Sequence, residues 1–162
     1  MLARLRPIWP LVTLAFSGAR LAGAILYFQN RLGLAPCPLC LDQRNWHWAV
    51  VGVSVAAFLL LRFRPGWSRW AMLAIGLVLL GSAAMGMYHV AVEQHWVVAQ
   101  CDARIDPNDI RPLDFGETFV VPKCDEIAWS LWGVSMAGWN AIASLIMALL
   151  SFAVALAPER KA

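Results

Sequence analysis

Apolar residues run through this chain in four long blocks, separated by polar interruptions of unequal length. The blocks cover about 9–29, 41–61, 67–88 and 128–156. Crossing roughly 30 Å of hydrocarbon takes about 20 helical residues, and each block meets or nearly meets that length. Backbone groups in lipid must be hydrogen-bonded within their own segment, so each block is read as a helix. Strands of a membrane barrel would be shorter and would alternate apolar with polar positions, and no such alternation is visible. The pattern predicts an all-α membrane protein, a four transmembrane helix bundle forming one domain over 1–162. Two loops then share one face, about 30–40 and 89–127. The longer of these contains Pro107, Pro112, Gly116 and Pro122, which break up any long helix there.

Composition agrees with the pattern. The chain is 60% hydrophobic and only 14% charged, outside the range of soluble domains. Its net charge of +3 carries no signal for nucleic acid; the placement of the charges is what informs. With four crossings, Arg4, Arg6, Arg62, Arg64, Arg69, Arg160 and Lys161 gather on one face, with Glu159 as the one acid there. The other face holds nine of the ten acidic residues. Basic residues stay on the cytoplasmic side, so both termini are placed in the cytoplasm and the two loops in the periplasm. The chain is therefore assigned to the inner membrane of a bacterium, in contact with lipid, with its loops in a compartment where disulfides persist.

Other residues refine the map. Trp9, Trp46, Trp48, Trp67, Trp70 and Trp129 lie near helix ends, as interfacial anchors do. Arg4, Arg6 and the following apolar run resemble a signal peptide, but the run contains Arg20 and stays apolar to Phe28, so it is read as a retained helix. Arg20 is a charge inside a membrane span with no acidic partner evident from the sequence. Gly18, Gly23, Gly76, Gly81 and Gly86 are read as points of close helix packing.

All four cysteines fall on the periplasmic face. Cys37-Pro38-Leu39-Cys40 stands at the start of the second block. A CxxC pair closes a small ring that opens and closes readily in thiol–disulfide chemistry. Pro36 and Pro38 hold the chain extended before the helix begins. Cys40 then lies near a helix N-terminus, where free N–H groups and the helix dipole stabilise an anion. Arg44 follows one turn later on the same face and can pair with a thiolate or donate to a carbonyl oxygen. Cys101 and Cys124 are 23 residues apart in the long water-facing loop. A bridge between them could simply staple that loop, or it could exchange with a soluble dithiol and then with Cys37–Cys40. Zinc usually needs a second close thiol pair or histidine ligands, so no metal site is assigned. His47 lies just inside the second helix, His95 in the loop, and His89 at the cysteine end of the third helix, where it could move a proton beside a quinone-like ligand.

With those residues in place, the chain resembles the DsbB family of membrane disulfide-generating oxidoreductases. The likeness covers nearly the whole length. It is strongest from Tyr27-Phe28-Gln29 through the CxxC to Gln43-Arg44, and again in Cys124, Trp129-Ser130-Leu131-Trp132-Gly133-Val134-Ser135-Met136 and Trp139. One departure is Ala137, where the family often has proline. The resemblance implies that Cys101 and Cys124 reoxidise a periplasmic thioredoxin-fold protein like DsbA. It implies that Cys37 and Cys40 pass the electrons to ubiquinone or menaquinone, with Arg44, and more loosely His89, at the quinone. Two other readings stand beside it: a non-catalytic four-helix membrane protein with two structural disulfides, and a DsbB-like enzyme serving a different partner. A cation beside the CxxC argues against the first, since a structural staple needs none.

Overall fold

The structure, a computed structural model, describes residues 2–98 and 123–158. Among these residues four helices are long and apolar enough to cross a membrane. Helix α1 begins as a regular helix, Trp9–Ala22, and continues as a π-helical stretch, Gly23–Arg31. Helix α2 spans Pro38–Phe63, α3 spans Ser68–Glu93 and α4 spans Met136–Leu156. Short 3₁₀ turns, Leu2–Leu5 and Pro65–Trp67, precede α1 and join α2 to α3. The chain is a multi-pass, all-α membrane protein, and its exposed leucines, such as Leu59, Leu77 and Leu149, face lipid.

The helix limits follow from local chemistry. Pro38 takes the first position of α2, where a missing N–H costs nothing, and Cys37 is its N-cap. Helix α3 runs past Tyr88 to Glu93, which places His89 inside the helix and not at its end. Helix α4 starts at Met136, well after the apolar run opens near 128. The intervening residues form a hairpin of β1, Ser130–Leu131, and β2, Val134–Ser135, with Ser130 opposite Ser135 and Leu131 opposite Val134. Its turn residues Trp132 and Gly133 have φ of 53° and 78°, both positive as a two-residue type I′ turn requires. Ser135 then caps α4, its Oγ accepting from the Gly138 N–H at 3.1 Å.

Small and hydroxylated residues join the helices. A methyl group added at Gly86 would lie 2.9 Å from the Ala141 backbone nitrogen, so glycine lets α3 and α4 approach there. Gly18 and Gly23 instead have nothing within 4 Å of such a group, and the packing role expected of them is not seen. Thr13 and Ser54 share a hydrogen bond of 2.8 Å between α1 and α2, and Ser82 and Ser144 one of 3.1 Å between α3 and α4. Trp9 is buried and donates to Ser151 at 2.9 Å, so it joins α1 to α4 and is not an interfacial anchor. Trp46, Trp48, Trp67 and Trp70 are exposed, as an aromatic belt is.

The two ends of the bundle differ in charge and chemistry. At one end Arg6 is buried and donates to the carbonyls of Val154, Ala155 and Ala157. A cation there satisfies carbonyls that the end of α4 leaves open and complements its dipole. Arg62, Arg64 and Arg69 lie at the same end, around the α2–α3 turn. The described cysteines occupy the opposite end. The prolines 107, 112 and 122, Gly116 and Cys101 lie outside the described residues.

Candidate redox site

The start of α2 carries the CxxC pair. Cys37 is buried, Cys40 partly so, and both are free thiols. The Cys40 N–H donates to Cys37 Sγ at 3.2 Å, so the sulfur of Cys37 itself occupies the N-cap position. A hydrogen bond with the Cys40 side chain, and then burial, push the Cys37 thiol well above the ordinary range. Cys37 therefore keeps its proton, and it offers that proton to the sulfur of Cys40. Negative charge between the two sulfurs is best placed on Cys40, which has Arg44 one turn along α2.

Arg44 is anchored to α1. Its Nη1 donates to Gln29 Oε1 at 2.9 Å and its Nη2 to the Ala24 carbonyl at 3.4 Å. Ala24 lies in the π-helical stretch, a local geometry often found at functional positions. There the backbone pattern shifts, as in the Leu32 N–H bond to the Tyr27 carbonyl at 3.0 Å.

His89 stands against the thiols. Its Nε2 is 3.8 Å from Cys37 Sγ and 4.0 Å from Glu93 Oε1. The Gln43 amide N–H₂ donates to Nδ1 at 2.6 Å, which leaves the ring proton on Nε2, facing the sulfur. The ring also hydrogen-bonds to the Cys124 backbone. Glu93 accepts a hydrogen bond from the Ser135 hydroxyl, which ties this end of α3 to the start of α4.

Cys124 corrects the sequence reading. Only 1% of it is exposed, so it is not displayed in a water-facing loop. It packs in one cluster with Cys37, Leu39 and Val92, with Cys40 against the same cluster. Cys124 is disulfide-bonded. Three of the four sequence-assigned cysteines thus meet at one place.

A cavity of about 580 Å³ opens beside them. Cys40, Arg44 and His89 contribute to its wall, with Phe28 and Trp129. Those two rings meet edge-on at 5.1 Å. Its size falls in the range of small-molecule sites.

Several members of the site escaped sequence reasoning. Gln29 and Gln43 stand in the segments that carry the family likeness, yet their contacts with Arg44 and His89 join different helices. Glu93 follows His89 by four residues, a spacing that puts both on one helix face. Asn140 is the one amide in α4, and an amide in an apolar span is itself a signal. The thiols of Cys37 and Cys40 and the His89 ring also place three donor atoms within 4.8 Å, the one group among the described residues that could hold a metal ion. From the sequence, zinc is set aside because the other two cysteines are 23 residues apart; the fold brings His89 to the pair instead. The oxidised Cys124 packed on the pair nevertheless favours sulfur exchange, which needs both thiols free.

A dithiol at the edge of a bilayer, in one buried cluster with a second and oxidised cysteine, defines a membrane thiol–disulfide oxidoreductase. More particularly, the chain belongs to the DsbB family: the family model for disulfide bond formation protein DsbB matches residues 6–154. It is similar to disulfide bond formation protein B of Nitrosospira multiformis, with 28% identity over 97% of this chain and 96% of that protein. The protein of the same name from Pasteurella multocida is 32% identical over 85% of this chain and 79% of its own length. That from Haemophilus influenzae is 33% identical over 83% and 76%. No solved structure matches the chain significantly. The chain is accordingly a membrane enzyme that generates disulfides.

Proposed function

We propose that the enzyme takes electrons from a periplasmic thioredoxin-fold dithiol protein like DsbA, through Cys101–Cys124 and then Cys37–Cys40, to a membrane quinone. The observation that carries this reading is that Cys124 and Cys37 share one buried cluster, beside a cavity lined by Cys37, Cys40 and Arg44. A thiolate of the partner attacks Cys101, and Cys124 leaves as a thiolate. The partner's second thiol resolves the mixed disulfide, so the partner departs oxidised and the loop pair is reduced. Cys124 then attacks Cys37 of an oxidised Cys37–Cys40 pair, and Cys40 leaves as a thiolate in the first turn of α2. Attack of Cys101 on the new Cys124–Cys37 bond restores the loop disulfide and leaves Cys37 and Cys40 reduced. Each exchange moves two electrons and conserves the number of disulfides until the last acceptor.

That acceptor is assigned to the cavity. Its volume, its aromatic wall and the guanidinium at its edge fit a quinone ring, with ubiquinone and menaquinone both of suitable chemistry. When bound, a quinone would supply the sink for two electrons and two protons. Cys40 faces that space beside Arg44, while His89 is positioned to move a proton at Cys37 Sγ. We assign the enzyme to the bacterial inner membrane with both termini cytoplasmic, since the basic residues gather at the end away from the cysteines. A reporter fused after Lys161 should then behave as cytoplasmic, and a periplasmic signal would reverse the orientation.

Thiol trapping of the four cysteines in intact membranes tests the relay. Depleting quinone should leave Cys37 and Cys40 reduced, and adding it back should reoxidise them. A trapping pattern indifferent to quinone would favour a scaffold with structural disulfides.

A further inference from the structure

One group of buried polar residues takes no part in the relay. About one turn deeper than Arg44, Arg20 of α1 donates from Nη2 to Asn140 Oδ1 at 3.0 Å. His47 of α2 meets the same oxygen through Nε2 at 2.8 Å, and its Nδ1 meets Ser17 Oγ at 3.3 Å. Arg20 can only donate, so it fixes the amide with Oδ1 toward the guanidinium and Nδ2 turned away. The same constraint puts the His47 proton on Nε2 and leaves Nδ1 to accept from Ser17.

Two features of this trio are unusual for a structural network. Asn140 is 3% exposed, and its Nδ2 has no hydrogen-bond partner among the described residues. Arg20 has no carboxylate partner among them, although it lies within a membrane span. A buried donor without an acceptor costs about 1–3 kcal/mol, and an arginine deep in a span costs more. Arg20, His47 and Asn140 all line the cavity that also holds Cys40 and Arg44. The cavity thus has two polar poles: Arg44 at the cysteine end, and a deeper one formed by Arg20, His47 and Asn140.

We propose that Arg20 and Asn140 form a second binding pole, donating to the carbonyl oxygen of a 1,4-quinone farther from Cys40. His47 is a positioning residue that holds the Asn140 amide in the donating orientation. This inference rests on the assignment of the cavity to a quinone. A 1,4-quinone carries carbonyls at opposite ends of one ring, so a site with donors at two depths grips both and sets the ring edge-first toward Cys40. Donors deep in the span also favour rings with two carbonyls over those with one.

The test uses the full chain in detergent and a short-tailed ubiquinone as probe, with binding read from quenching of tryptophan fluorescence. Trp129 and Trp139 line the cavity and report directly. Saturable binding to the unsubstituted protein is expected, and its absence would sink the quinone assignment itself. Arg20→Leu and Asn140→Leu should each weaken binding by about tenfold, and together by less than the product, because both act on one oxygen. Asn140→Asp keeps the shape and gives Arg20 a carboxylate, so the helices stay tied while the spare donor is removed; binding should fall here too. Full affinity in a folded Asn140→Asp protein would overturn the proposal and leave the quinone assignment standing. The unsubstituted protein supplies a measurement that needs no variant. Infrared spectra with each quinone carbonyl isotopically labelled in turn should show both stretches lowered by hydrogen bonding, and one carbonyl at its free frequency would overturn the second pole.

Discussion

The two halves of this bundle use polar residues in opposite ways. In the half that ends at Arg6, buried polar groups close on protein partners: Thr13 on Ser54, Trp9 on Ser151, Arg6 on the last carbonyls of α4. In the cysteine half, some donors lack a matching acceptor. Among the described residues, Asn140 Nδ2 has no partner, Arg20 donates to an amide oxygen, and Arg44 donates to two neutral oxygens. Saturated polar groups within a membrane hold helices together and specify their register. Unsaturated ones carry a cost, which the binding of a ligand there, as proposed above, would offset. The Phe28–Trp129 ring pair, the cavity and the thiols all belong to the unsaturated half.

The comparison breaks most decisively at Cys40. Cys40→Ser removes the sulfur proposed to pass electrons to the cavity, so quinone-dependent turnover should fall to background. Capture of a reduced, single-cysteine thioredoxin-like partner by the loop pair should persist on non-reducing gels. Capture through Cys37 in preference to Cys101 or Cys124 would reverse the assigned order of the relay.

Next in size is Gly86→Leu. A side chain there meets the backbone of Ala141, and the α3–α4 seam carries His89 on one side and Asn140 on the other. Overpacking of this kind costs about 1–3 kcal/mol. Thermal unfolding in detergent should move down accordingly, with weaker quinone binding in the same variant. An unchanged midpoint would mean that the two helices have room to part.

How far the sequence reaches is itself uneven across the two halves. Hydropathy alone marks four spans, and the distribution of arginines separates the two ends, because both signals are local and repeated. Where one segment folds onto another, they give out. The run from 128 looks helical by hydropathy, yet Trp132 and Gly133 turn it into a hairpin. Ser135 three residues ahead of Gly138 was the sign that α4 starts later. Cys124 reads as a loop residue because nothing nearby in sequence says that the chain folds back onto Cys37. Arg20 is plainly anomalous in the sequence, but its partner Asn140 lies 120 residues away. Local pattern exposes such a charge without saying what it meets.

Arg44→Gln sharpens the comparison within the cysteine half. The substitution keeps a donor but removes the charge at the shallow pole of the cavity. Hydrogen bonds to charged groups are worth about 1.5–3 kcal/mol, so the quinone concentration for half-maximal rate should rise by at least about tenfold. Both disulfides should still form, as read by thiol trapping. Unchanged quinone dependence would remove Arg44 from the site.

The smallest effect belongs to the saturated half. Thr13 and Ser54 are fully buried and bonded to each other at 2.8 Å, far along α1 and α2 from the cysteines. Thr13→Val and Ser54→Ala each remove one partner, and the double variant removes both. Interhelical hydrogen bonds of this type contribute about 0.6 kcal/mol on average, because the unfolded chain in a membrane finds other partners. The coupling energy from the double-mutant cycle should be of that order, measured by unfolding in detergent. Quinone affinity should not change in any of the three variants. If affinity fell with stability, the halves would be mechanically linked, and the division between polar groups that hold the bundle and polar groups that hold a ligand would not stand.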